Sequence, residues 1–225
     1  MAVFRALRLW VDPVRRPGPE VMAVDEWLLE TVTIPVLRVY SWAGDWVSLG
    51  YFGKIAEARE LFPKVGLVRR WTGGGIVDHR QDWTYTLVVP RGESLAACRG
   101  TESYRIIHEK LMETIKGEQV DVRLCEGEAG TGESRCFENP VGFDLVSDTG
   151  RKLAGAGQRR SKHGLLHQGS VALPCADLAA FSNRAIDFAS QLAEFCERGE
   201  MIPDQKEILQ RVMLRYGAQD WLARR

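Results

Sequence analysis

Arg69-Arg70-Trp71-Thr72-Gly73-Gly74-Gly75-Ile76-Val77-Asp78-His79 is the stretch on which the reading of this chain turns. The apolar run from Val65 to Trp71 predicts a strand, and the strand runs straight into three glycines. A glycine triplet is costly in backbone entropy. It is useful where a ligand must lie against bare main chain, whose N–H groups hold anions. Paired arginines beside such a loop can meet a carboxylate or phosphate through two parallel hydrogen bonds. The same residues also fit a flexible turn beside a solvated basic strand end, and spacing alone leaves both open.

Outward from that stretch, strands and helices alternate without a doubly wound rhythm. Phe4 to Trp10 reads as a strand, broken by Pro13, Pro17 and Pro19. A helix follows with Val21, Val24 and Leu28 on one face. Val36 to Trp42 and Trp46 to Tyr51 read as strands around Ala43-Gly44-Asp45, and Trp83 to Val89 as a strand stopped by Pro90. Tyr104, Ile107, Leu111 and Ile115 mark an amphipathic helix over 102–116. Val120 to Leu124 is a further strand, and the glycine-rich, acidic run from Glu126 to Ser134 reads as a mobile loop. A hairpin over 143–154 turns at Asp148-Thr149-Gly150, Leu165 to Leu173 is a strand, and two helices close the chain. The last begins near Asp204, with Glu207 in capping-box position, and ends before Gly217. This order predicts an α+β domain with a mixed or antiparallel sheet flanked by helices.

Composition narrows the class. The 225 residues carry 30 basic and 30 acidic side chains, so no broad field favours nucleic acid or a membrane surface. Five cysteines, Cys98, Cys125, Cys136, Cys175 and Cys196, are odd in number and widely spaced. They suggest neither a zinc site nor a disulfide framework, and reduced thiols in a cytoplasm are the expectation. The N-terminus does not read as a signal peptide, and no apolar run is long enough for a transmembrane helix. A single domain over 1–225 is expected, and a monomer.

Three more stretches carry candidate chemistry. Lys152, in Gly150-Arg151-Lys152-Leu153-Ala154-Gly155, either presents a fixed charge to a carbonyl or phosphate oxygen or sits on a hairpin surface. Cys136, in Cys136-Phe137-Glu138-Asn139-Pro140, is either an acyl nucleophile activated by a nearby cation or a small buried hydrophobe. His167, in His167-Gln168-Gly169-Ser170, is either a base or a structural histidine entering a strand.

Taken together and in order, these stretches resemble the lipoate–protein ligase and octanoyltransferase family. The opening stretch is similar to the family's RRxTGGGxVxH motif. Gly150 to Gly155 followed by Gln158-Arg159-Arg160 is similar to its glycine-lysine motif, and His167-Gln168-Gly169-Ser170 to its HxGS/T motif. Met22-Ala23-Val24-Asp25-Glu26 resembles the family's helix motif. Leu37 to Trp42 with Val47 to Phe52 resembles its LRfYxW…vSlGyfQ motif. The resemblance covers about residues 20–174, with closing helices over 176–217.

It implies a biotin/lipoyl ligase-like catalytic domain with an acyl tunnel. Arg70, Thr72, Gly73, Gly74 and Gly75 would line that tunnel together with Gly155, and Lys152 would contact the reacting carbonyl. Two departures stand out: Gly53 replaces the usual Gln or Asn, and Ala156-Gly157 replaces the usual Ser-Ala.

The family runs two chemistries. Ligases need ATP and Mg²⁺ and form a lipoyl-AMP. Transferases need no cofactor or metal and pass an octanoyl or lipoyl group through a cysteine thioester. Cys136-Phe137 with Pro140 resembles the nucleophile segment of one type of octanoyltransferase. The expectation is therefore an acyltransferase of protein lipoylation. Its donor would be acyl carrier protein and its acceptor a lysine of a lipoyl carrier domain, either the glycine-cleavage carrier or a 2-oxoacid dehydrogenase subunit. Cys136 would be the nucleophile, Lys152 and His79 would lower its pKa, and His167 would serve as base. An ATP-dependent ligase and an inactive acyl-binding relative are the alternatives.

Overall fold

The computed structural model describes residues 1–127 and 140–224. The large sheet is mixed, in the order β11-β1-β2-β6-β10-β9-β8-β7. Its strands are β1 (Phe4–Val11), β2 (Val36–Tyr40), β6 (Trp83–Pro90), β7 (Arg123–Leu124), β8 (Leu145–Val146), β9 (Lys152–Ser161), β10 (Gly164–Val171) and β11 (Ala193–Arg198). Strand β1 is parallel to both its neighbours, and every other pair is antiparallel. A small sheet, β4-β3-β5, is made by β3 (Trp46–Leu49), β4 (Gly66–Arg69) and β5 (Ile76–Asp78).

Strands β6 and β10 are buried along their whole length, which places them at the centre of the sheet. Their alternate residues feed two cores. Leu87, Val89, Leu165 and Val171 pack with Ile107 and Leu111 of α4 (Gly100–Gly117) and Phe188 of α5 (Leu178–Leu192). Val88 and Leu166 pack on the opposite face with Val21, Val24 and Leu28 of α1 (Gly18–Thr31). Pro19 stands in the first turn of α1, where its missing N–H costs nothing. The α+β class with a mixed sheet is the one the sequence implies.

The two strands that flank Ala43-Gly44-Asp45, β2 and β3, lie in different sheets. Two elements differ from the sequence reading. Ile55–Leu61 forms a short helix, α2, too brief to show a helical period. Ala193–Arg198, read as helical, forms β11 and gives β1 a partner on its outer side, from Phe4 opposite Ala193 to Leu9 opposite Arg198. An uncovered outer edge would leave a row of backbone groups unpaired. Asp204 does cap the helix α6 (Gln205–Arg211), accepting from the amides of Lys206 and Glu207. The chain then continues through a π-helical turn (Val212–Tyr216) into α7 (Gln219–Ala223). Among the described residues, no helix is long and apolar enough to cross a membrane.

Candidate acyl-binding site

A narrow pocket lies between the two sheets. Met22, Tyr40, Trp42 and Val77 form its apolar walls, and Gly155, Ala156 and Gly157 of β9 its floor. Arg70, His79 and Lys152 also line it. Lys152 is shared with a neighbouring polar cleft that carries Asp78, Arg80, Asp82 and Arg151, so it stands where the two join.

The glycine stretch is braced rather than open. Arg70 donates to the carbonyls of Gly73 (3.1 Å) and Gly75 (2.9 Å) and to the Ser48 hydroxyl (2.6 Å). Gly74 has φ +92°, which glycine adopts freely. A Cβ on Gly50 would lie 1.8 Å from the Gly74 carbonyl, and one on Gly157 would lie 2.3 Å from the Gly73 carbonyl. The loop is thus held between two positions that tolerate no side chain. The missing side chain at Gly157 lets the loop lie close against β9. Gly73, Gly74 and Gly75 do not themselves line the pocket. Thr72 is buried beside it and donates to Gln168 (2.7 Å), whose amide donates to Asp25 of α1 (2.7 Å).

The arginine pair does not form an anion clamp. Arg69 is fully buried and donates to the carbonyls of Gly50, Tyr51, Gly53, Trp221, Leu222 and Arg224. It ties α7 to the turn after β3, which accounts for the charge without any ligand. Burial, followed by the nearby Arg224, lowers its pKa.

His79 forms part of the pocket wall, its ring stacked on Trp42 at 4.1 Å. Its Nδ1–H donates to Asp82 (2.7 Å), since a carboxylate only accepts, and Nε2 lies 2.5 Å from the Ser48 hydroxyl. Asp82 also accepts from the hydroxyls of Ser170 (2.5 Å) and Thr84 (3.0 Å). Trp42 donates to Thr84 (2.9 Å) and Trp46 to the Ala43 carbonyl (2.9 Å), so both tryptophans have packing roles.

Lys152 is buried, and its ammonium lies 2.7 Å from Asp144. Asp144 also accepts from the Tyr104 hydroxyl (2.5 Å) and the Val141 amide (2.8 Å). Gly155 makes room for the lysine: a Cβ there would lie 2.5 Å from its Cε and 2.6 Å from its Nζ.

His167 is not in the pocket. It points to the opposite face of the sheet, fully buried, between Tyr85 (3.0 Å) and Gln158 (3.0 Å). Burial, followed by His108 and Arg160, pushes its pKa well below the ordinary value. Its place is structural, because β10 turns alternate residues to opposite faces and gives the pocket Gln168 and Ser170 instead. Cys136 lies outside the described residues.

Asp144, Tyr104, Ser48 and Asp82 escaped the sequence reading. By helical spacing Tyr104 belongs to the apolar face of α4, and its hydroxyl reaches Asp144. A tyrosine and a histidine four apart on an apolar stripe, Tyr104 and His108, were the available signal.

Residues 17–193 match the family described as the lipoyl protein ligase A/B catalytic domain. The chain belongs to that family. It is 36% identical to octanoyltransferase LipM of Staphylococcus aureus, over 67% of this chain and 60% of that protein. To octanoyltransferase LipM of Kyrpidia tusciae it is 29% identical over 89% of this chain and 92% of that protein. The matches to the first relatives thus span about 60% of those relatives' length. Among solved structures, a putative lipoate protein ligase from T. acidophilum with bound lipoic acid shares the fold (TM-score 0.73, 17% identity, 99% of both chains). So does a lipoate-protein ligase A bound with ATP (TM-score 0.72, 19% identity, 99% of both chains). A bi-partite lipoate protein ligase of Thermoplasma acidophilum, solved with its E2 lipoyl domain, also matches (TM-score 0.70, 19% identity, 99% of this chain and 97% of that one).

Proposed function

We propose that the chain is an octanoyltransferase of protein lipoylation, moving an octanoyl group from acyl carrier protein to a lysine of a lipoyl domain. The observation that carries this reading is the place of Lys152. It stands where an apolar pocket meets a polar cleft, with the ammonium at the end where a carbonyl would sit. The likeness to octanoyltransferases LipM supports the same reading.

The octanoyl tail occupies the pocket over Gly155 and Gly157. Burying each methylene is worth about 0.8 kcal/mol, so the tail supplies roughly 5 kcal/mol before ordering costs. The thiolate of Cys136 attacks the donor thioester and expels the carrier's thiolate, which takes up a proton. Lys152 stabilises the oxyanion formed at the carbonyl. The amine of the acceptor lysine, having lost a proton to solvent, then attacks the acyl-enzyme. An amide forms, the Cys136 thiolate leaves, and the second amine proton is released. The energy is already in the thioester, so no ATP is consumed.

The test is a reconstitution with octanoyl-acyl carrier protein and a purified lipoyl domain. Octanoylation of the domain without ATP is the expected result. Labelling that requires ATP, Mg²⁺ and free octanoate would identify a ligase instead. Binding of octanoate without labelling in either mixture would identify an inactive relative.

A further inference from the structure

Asp144 is held more firmly than a salt-bridge partner requires. Its side chain is fully buried. One oxygen accepts from Tyr104 (2.5 Å), and the other from both Lys152 (2.7 Å) and the Val141 amide (2.8 Å). The hydroxyl oxygen of Tyr104 accepts in turn from the Ala156 amide (2.9 Å), so α4 and β9 are registered through the same group.

The backbone beside it is strained. Phe143 has φ +70°, a left-handed conformation unfavourable for an aromatic residue. Surrounding bonds hold it there. The Phe143 amide donates to the Cys125 carbonyl (2.9 Å), the Cys125 amide donates to the backbone carbonyl of Asp144 (2.7 Å), and His108 Nδ1 donates to the Phe143 carbonyl (2.7 Å). His108 is fully buried, and its other nitrogen has no hydrogen-bond partner among the described residues. Its ring lies 4.1 Å from that of Tyr104, one helical turn away. Strain that persists at a functional site is held by its surroundings, and here those bonds fix the main chain that carries the Asp144 carboxylate.

We infer that Asp144 is a positioning residue for Lys152, and that Tyr104 and His108 act through it. This rests on the reading that Lys152 meets the reacting carbonyl. The carboxylate aims the ammonium across Gly155 into the pocket, and Tyr104 and the Phe143 turn fix the carboxylate. Asp144→Asn keeps the shape and an acceptor for one donor but turns an amide toward the lysine.

Two readouts test the assignment. In the octanoyl-transfer assay, Asp144→Asn lowers kcat roughly 100-fold with KM little changed, the effect of about 1 Å of misplacement. Tyr104→Phe lowers kcat about tenfold, and the double variant is no worse than Asp144→Asn, because both act on one group. The second readout does not depend on the function. Lys152 is labelled with acetic anhydride at fixed pH and quantified by peptide mapping. Labelling rises about tenfold in Asp144→Asn, since the amine has lost its charged bond to Asp144. Unchanged Lys152 labelling in both folded variants would overturn the inference and leave Asp144 as a turn residue. If Asp144→Asn does not fold, Tyr104→Phe decides by the same labelling, with a rise expected and no change refuting. A wild type that labels as expected but transfers no octanoyl group would overturn the proposed function, not this assignment.

Discussion

Gly155→Ala tests the geometry of the site with one methyl group. The new Cβ would lie 2.5 Å from Lys152 Cε, 2.6 Å from its Nζ and 3.0 Å from Asp144 Oδ1. Van der Waals contact requires about 3.5 Å, so the ammonium must retreat by about 1 Å. The 2.7 Å pair with Asp144 then leaves hydrogen-bonding range. Weakening a charged hydrogen bond costs about 1.5–3 kcal/mol, and fully breaking a buried pair about 3–5 kcal/mol. A domain of this size loses about 2–4 °C of Tm per kcal/mol, so the weakened bond alone lowers Tm by roughly 3–12 °C. Octanoyl transfer, measured under single turnover, falls roughly 100-fold if the lysine has moved by about 1 Å. A variant that melts within about 1 °C of the wild type and transfers within about threefold would refute the reasoning, since the methyl would have displaced nothing that matters.

Further outcomes follow from the buried groups. Burial pushes His108 down to about 4, and His167 falls well below its ordinary value. The unfolded chain therefore binds more protons than the folded one as pH falls below 6.5. For His108 alone, about 3 kcal/mol present at neutral pH is lost as pH falls from 6.5 to 4. Urea midpoints across that range test this: His108→Asn should flatten the slope, and an unchanged slope would contradict the assignment. Arg69→Lys leaves one nitrogen to serve six carbonyls, so a loss of roughly 2–4 kcal/mol is expected, with faster hydrogen exchange over 219–224. Unchanged exchange there would mean that Arg69 does not hold α7. Gly50→Ala places a methyl 1.8 Å from the Gly74 carbonyl, so the glycine loop must move. An octanoate affinity by calorimetry equal to that of the wild type would show that this loop does not shape the pocket.

Much of this architecture could be read from local signals. The strand-to-glycine run of 66–75 carries its own punctuation, and Gly155 and Lys152 stand in a motif whose spacing survives folding. Asp204 announced its helix because capping is a local event. Illegible parts depended on distant partners. Nothing beside Arg69 in the sequence indicates that six carbonyls surround it, so charge alone suggested an anion. Asp144 follows a phenylalanine whose positive φ no propensity predicts. Ser48, His79 and Asp82 meet only when β3 and β5 pair. Ala193–Arg198 continues a helical pattern, and only the outer edge of β1 makes it a strand. His167 was misplaced for a simpler reason: a strand residue faces one side or the other, and the sequence of β10, buried on both faces, does not say which.

The central claim is the acyl-enzyme, and intact mass spectrometry addresses it directly. The purified chain and a Cys136→Ala variant are each incubated with octanoyl-acyl carrier protein, without ATP. A gain of one octanoyl group on the wild type, released by hydroxylamine and absent from the variant, is the predicted result. An octanoyl group on the variant as well, or none on a wild type that still modifies its lipoyl domain, would contradict transfer through Cys136.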